Sequence, residues 1–114
     1  GSSDWTVSSM NPLEAIQTGV TRQDIADPNG AVLTPQHRLD VMDMLRAYTV
    51  NGAYASYDEE RKGLIRPGML ADIVVLTENI FSLDPEKREQ VKVAYTIFDG
   101  RIVYPAAAAK TLTN

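Results

Sequence analysis

Asp4 is the acid in this chain whose setting suggests chemistry. It follows Gly1, Ser2 and Ser3 and precedes Trp5, and a carboxylate at the end of a strand has the placement that barrel enzymes give to catalytic groups. Such a group could hold a cation or take a proton from water. A plain turn or capping aspartate is the commoner meaning of the same pattern, because Asp recurs in turns. The single histidine, His37, sits beside Gln36 and Arg38, in the first turn of an expected helix, where a solvated surface role is expected. No Cys-His pair, no second histidine one helical turn away and no Gly-rich phosphate loop accompanies it. Ser2, Ser3, Ser8 and Ser9 have no base at a recognisable spacing, so no nucleophilic triad can be assembled from them. Asp58, Glu59 and Glu60 run straight into Arg61 and Lys62, which is the pattern of a solvated face rather than a cation site.

Composition bounds what these residues can serve. A chain of 114 residues with 44% hydrophobic content and a formal charge of −4 is long enough for one ordinary core. The eleven Lys and Arg are scattered and outnumbered by fifteen acids, so a nucleic-acid backbone is not an expected partner. No apolar run approaches the length of a membrane span, and the first residues lack the basic and apolar regions of a secretory signal. Without cysteine there is no disulfide framework and no thiolate metal site. That suits a reducing compartment, and the cytoplasm is the default expectation.

The elements that must position Asp4 can be read in order. "GSSDWTV" fits the tail of a strand running into a loop. Asn11 then caps a helix, with Pro12 at its first position and Glu14 three after the cap. Leu13, Ile16 and Val20 give that helix one apolar stripe ending near Arg22. Gly19 interrupts it at about 1 kcal/mol relative to alanine, which suggests close packing against another backbone. Residues 23–34 form a long irregular loop with a tight turn at Asp27-Pro28-Asn29-Gly30.

Thr34-Pro35 repeats the cap-then-proline signal, and one long helix is expected over "PQHRLDVMDMLRAYTVNGA", stopped by Asn51-Gly52. Leu39, Val41, Met42, Met44, Leu45 and Tyr48 share one broad arc of it, so it should be buried between neighbours. Pro67-Gly68 fits the centre of a type II turn. Ile73 to Leu76 read as a short buried strand. From Val91 the pattern alternates through Val93, Tyr95 and Ile97, and Asp99-Gly100 makes a type I′ hairpin before Arg101 to Tyr104 return. Residues 105–114 carry little to pack and are expected to be a tail or a short terminal helix.

Five stretches, "GSSDW", "NPLEAIQTGVTR", "YTVNGAYAS", "GLIRPGMLADIVVL" and "YTIFDGRIVY", stand in this order across residues 1–104. Together they resemble the C-terminal end of metal-dependent amidohydrolases, in the branch of the N-substituted formamide deformylases and the exoenzyme-regulatory relatives. The carrying pattern is Gly63, Ile65, Gly68, Ala71 and Asp72, followed by an apolar strand and the Asp-Gly hairpin. Leu64 departs from the usual small hydroxyl residue and Met69 from the usual lysine.

The resemblance implies an α+β piece with two main helices followed by an antiparallel or mixed sheet of three or more strands. Residues 1–62 would be the last strand end and final helices of a (β/α)8 barrel, and residues 63–104 part of its small β-sandwich. It also implies that Asp4, as catalytic residue and metal ligand, sits by a divalent ion, zinc being the first expectation. That ion lowers the pKa of its water to about 7 for attack on an amide-like carbon. The histidines that complete the cluster would lie upstream of Gly1, so no cofactor is expected in this chain alone. By the same resemblance Asp72 has a turn or strand-entry role. The implied partners are the rest of the barrel or further copies of the chain, reached through apolar helix faces and strand edges. A small-molecule substrate belongs to the full-length form only. The alternative is a stand-alone binding or self-association module without metal.

Overall fold

The computed structural model describes residues 1–105. The regular elements are α1 (Pro12–Thr21), a 3-10 turn (Pro35–His37), α2 (Val41–Tyr48), α3 (Val50–Ala55), β1 (Ile73–Leu76), a second 3-10 segment (Pro85–Gln90), β2 (Val93–Phe98) and β3 (Arg101–Tyr104). They belong to two compact units, one made of Gly1–Tyr48 with Asn79–Val91, the other of Thr49–Glu78 with the chain from Lys92 onward. Residues 106–114, most of the expected tail, lie outside the described residues.

In the first unit α1 begins as its residues dictate. The Asn11 side chain accepts the Leu13 N–H at 3.1 Å, which gives one orphan N–H of the first turn a partner, and its amide is held by Glu14 Oε1, to which it donates at 3.1 Å. Leu13 and Ile16 are buried, Ile16 to 2% exposure, on the side that packs against α2 and Pro85–Gln90. Arg22 ends the helix in the left-handed region (φ 59°), its N–H donating to the Thr18 carbonyl. At Gly19 another backbone does come close, the Leu39 N–H donating to its carbonyl at 3.0 Å, and the Cβ direction is filled by a side chain: a Cβ there would stand 2.4 Å from Met44 Sδ and 2.6 Å from its Cε.

The single long helix expected from Pro35 is broken in three. Thr34 makes no side-chain cap; its hydroxyl accepts Arg22 Nη2 at 2.9 Å. After His37 the backbone turns extended at Arg38 (ψ 138°). Leu39 N–H then donates to the Gly19 carbonyl at 3.0 Å and Arg38 Nε to the Thr21 carbonyl at 3.1 Å. These acceptors are in the last turn of α1, where carbonyls have no partner of their own, and they draw residues 38–39 out of a helical course. Asp40 restarts it as α2 by accepting the Asp43 N–H at 2.7 Å.

In the second unit Asn51-Gly52 does not stop the helix but lies inside α3. The stop comes later, at Tyr57 (φ 58°). Asp58 N–H reaches the Ala53 carbonyl at 2.9 Å and Tyr57 N–H the Tyr54 carbonyl at 3.0 Å, the paired bonds of a Schellman ending with tyrosine where glycine is usual. The Arg66-Pro67-Gly68-Met69 turn forms as expected, Gly68 at φ 91° and Met69 N–H on the Arg66 carbonyl at 3.2 Å.

The sheet has the order β1-β2-β3 with both pairs antiparallel. Asp99 (φ 49°) and Gly100 (φ 72°) both take the positive φ that a type I′ turn needs, and Phe98 pairs with Arg101 across it. Val91 is not part of the alternating strand; it closes Pro85–Gln90 in the first unit and is buried there. Register places Ile73, Val75, Tyr95, Ile97 and Ile102 on one face. The expected burial of β1 is not found: Val74 and Val75 are exposed, because the sheet has no second layer among the described residues, and a short strand buries its side chains only against one.

Candidate functional site

No strand forms at residues 1–7. Asp4 to Val7 make a turn instead, because a strand needs a hydrogen-bonding neighbour and the first unit contains none. Asp4 sits in this turn with φ 50°. Its N–H donates to Ser2 Oγ at 3.2 Å, and its carbonyl accepts the Val7 N–H at 2.7 Å. Ser8 Oγ donates to the Ser3 carbonyl and closes the same turn from the far side. The carboxylate is exposed, and no hydrogen bond or ion pair reaches it among the described residues.

A cleft of about 460 Å³ opens beside this turn in the first unit, lined in part by Ser8, Ser9, Glu14, Arg22, His37 and Met44. Asp4 does not line it. Serine, histidine and glutamate therefore share one cleft, yet the serine and glutamate oxygens are engaged elsewhere. Ser9 Oγ accepts the Asn11 N–H at 3.1 Å, and Glu14 holds the Asn11 amide. Arg22 directs Nε to the Leu33 carbonyl at 3.1 Å and Nη2 to Thr34. Nucleophilic catalysis needs a serine in hydrogen-bond reach of its base, and no such contact joins Ser8 or Ser9 to His37.

Two charged groups escaped the sequence reading. Arg88 is 6% exposed and donates from Nε to the Ile80 carbonyl at 3.0 Å and from Nη2 to the Leu83 carbonyl at 3.1 Å, while its buried Nη1 has no partner among the described residues. Burial pushes its pKa below the ordinary arginine range. Its neighbours Glu86, Lys87 and Glu89 disguise it in the sequence as one more solvated charge. Asp58, read as part of a solvated run, is held below the usual carboxylate range by its hydrogen bond from Lys62 Nζ, 2.7 Å away.

Asp72 has the structural role implied for it, its carboxylate accepting the Asp99 N–H at 2.9 Å. The second unit thus presents an anchored hairpin. The profile of the amidohydrolase family matches residues 1–104. This chain belongs to the amidohydrolase family. Among relatives, the amidohydrolase YtcJ of Bacillus subtilis (strain 168) is 32% identical over 104 residues, 91% of this chain and 20% of its own length. The protein LONG AFTER FAR-RED 3 of Arabidopsis thaliana is 34% identical over 103 residues, 90% of this chain and 17% of its own. The N-substituted formamide deformylase of Arthrobacter pascens is 30% identical over 102 residues, 90% and 18%. The amidohydrolase-family chain thus spans about a fifth of the length of these relatives. No solved structure matches it.

Amidohydrolases as a family are metal-dependent, and a catalytic zinc takes about three protein ligands. The described residues contain no group of three or more His, Cys, Asp or Glu that could hold an ion, and Asp4 offers a single exposed donor. The residues present do not fit a metal by themselves. No helix among them is long and apolar enough to cross a membrane.

Proposed function

We propose that this amidohydrolase-family chain is the C-terminal portion of a metal-dependent hydrolase acting on C–N bonds in small, non-peptide, amide-like substrates, and that it is inactive as an isolated chain. The carrying observation is that the family match covers residues 1–104 while the relatives are about five times as long. The deformylase among them supports an amide-like substrate. In the longer protein Asp4 would serve as metal ligand or proton acceptor, in the cytoplasm, with histidines supplied from upstream. Its exposed, unpaired carboxylate is consistent with a group whose partners lie elsewhere.

The same reading explains the uncovered surfaces. Val74, Val75, Tyr95, Phe98 and Val103 are exposed in the second unit, and Leu39 and Met42 in the first. Apolar groups left open in this number seek partners: the remainder of a barrel and sandwich in a full-length protein, or further copies when the chain is alone.

Elemental analysis and hydrolysis assays test the reading. The isolated chain should carry no stoichiometric zinc and cleave no N-formyl amine. A longer protein that includes it should bind zinc and cleave an N-formyl amine, and Asp4→Asn in that protein should lower hydrolysis by about 10²- to 10⁴-fold, the usual range for losing a general base. Tight metal binding by the isolated chain would contradict the proposal, as would a fully active Asp4→Asn enzyme. A monomer that binds a small ligand of its own would favour the stand-alone module instead.

A further inference from the structure

The chain carries two Asn-Gly pairs, Asn29-Gly30 and Asn51-Gly52. An asparagine before glycine is chemically vulnerable, because the next residue has no Cβ to keep its backbone nitrogen away from the asparagine side-chain carbonyl carbon. Conformation decides whether the two atoms meet. In a helix ψ lies near −42°, and the following nitrogen points along the axis into the helical ladder, away from the preceding side chain.

The two pairs have opposite settings. Asn51 and Gly52 lie within α3, bracketed by Ala53 N–H on the Thr49 carbonyl at 3.0 Å and Ser56 N–H on the Gly52 carbonyl at 3.2 Å. Gly52 N–H lies in the first turn of α3, but bringing its nitrogen toward the Asn51 side chain turns Asn51 out of its helical ψ and pulls Ala53 N–H from the Thr49 carbonyl, which unwinds that turn. Asn29 is exposed in the irregular loop. Its glycine is tied by one turn bond, Gly30 N–H to the Asp27 carbonyl at 3.0 Å. Gln23 Nε2 adds bonds to the carbonyls of Pro28 at 2.8 Å and Gly30 at 3.2 Å. Every residue from Ala26 to Asn29 is exposed, so opening the turn uncovers almost no apolar surface.

We infer that Asn29 is a site of spontaneous succinimide formation in the folded chain and that Asn51 is shielded from it. Gly30 N forms a bond to Asn29 Cγ, the Cγ–Nδ2 bond breaks, and the proton from Gly30 N departs with the amide as ammonia. Water then opens the ring at either carbonyl and leaves an aspartyl or isoaspartyl residue at position 29, with no oxidant or enzyme required. Each conversion adds a negative charge beside Asp24 and Asp27. The isoaspartyl form also inserts a methylene into the Asp27–Gly30 turn and draws the carbonyls of Pro28 and Gly30 away from Gln23.

Peptide mapping by mass spectrometry after prolonged incubation in mildly alkaline buffer tests this. Position 29 should convert at least about tenfold faster than position 51 in the folded chain, the ratio set by local opening of α3, and the two should approach one another in concentrated urea. Asn29→Gln should abolish most of the folded chain's conversion while leaving its circular dichroism unchanged. Equal rates at the two positions without urea would overturn the inference, and so would faster conversion at position 51.

Discussion

Asp72 and Asp99 are joined across 27 positions of sequence by a single bond, the carboxylate of one accepting the backbone N–H of the other at 2.9 Å. The Ala71 carbonyl accepts the neighbouring Gly100 N–H at 3.1 Å, so both N–H groups of the hairpin tip are held by the segment that leads into β1. Asp72→Ala should lower stability by about 1 kcal/mol, the usual net worth of one hydrogen bond. Asp72→Asn keeps an acceptor oxygen and should recover most of the loss. Urea midpoints of the three proteins decide it.

Gly19 and Met44 make a prediction that changes with background. In an otherwise unaltered chain Gly19→Ala puts a methyl where Met44 Sδ and Cε lie, and the buried thioether must swing aside, which offsets the gain in helix propensity and should turn it into at most a small net loss, under about 1 kcal/mol. In a Met44→Ala background the obstruction is gone. There the same substitution should stabilise by about 1 kcal/mol. Thermal or urea unfolding of the four proteins measures the coupling.

Tyr57 holds the left-handed position at the end of α3 while 93% exposed. Little packing is lost on removing it, and the strain of a side chain at positive φ is relieved. Tyr57→Gly should therefore raise stability by about 1 kcal/mol, whereas Tyr57→Ala should leave it nearly unchanged.

Arg88 should tolerate no replacement that forfeits its fork. Arg88→Met leaves the carbonyl of buried Ile80 and that of half-buried Leu83 without this donor and should cost about 2 kcal/mol. Arg88→Lys should not restore the loss, since a single ammonium on a flexible stem cannot copy two guanidinium directions. Denaturation midpoints of the two variants should nearly coincide.

Asp58 carries a pH dependence. Its pKa in the folded chain is lowered, chiefly by the Lys62 hydrogen bond, so the folded state binds this proton less readily than the unfolded one. The associated stability is present above the ordinary carboxylate value, near pH 4, and is lost as pH falls through the lowered folded value. Lys62→Met should flatten that acid limb of the stability curve without altering stability changes above pH 5. The effect should be small, because the pair lies at the surface.

What the sequence disclosed was local. Asn11, Pro12 and Glu14 announce α1; Pro67-Gly68 and Asp99-Gly100 announce their turns, because the needed φ angles admit few other residues. The family could be read from motif order at Gly63 to Asp72. Tertiary competition was hidden. Nothing around Arg38 and Leu39 says that the last carbonyls of α1 will draw them out of a helix, and nothing around Arg88 distinguishes a buried guanidinium from a solvated one. Tyr57 hid the end of α3 because a bulky aromatic stood where the eye looks for glycine, and Asn51-Gly52 offered a false stop. Asp4 drew notice by its setting but took its role only from resemblance, and its own turn gives its carboxylate no partner among the described residues.

The path of the chain, leaving the first unit at Tyr48 and coming back to it from Asn79 to Val91, has a consequence during synthesis. The seat for α1 is made last but one, and β2 and β3 emerge only after it. A ribosome releasing this polypeptide from its N-terminus therefore delivers α1 and α2 long before Pro85–Gln90 exists to complete the cover over Leu13 and Ile16. A message cut short after Glu78 would leave one unit without its returning segment and the other without β2 and β3, so a premature stop there should yield aggregate rather than a smaller folded piece.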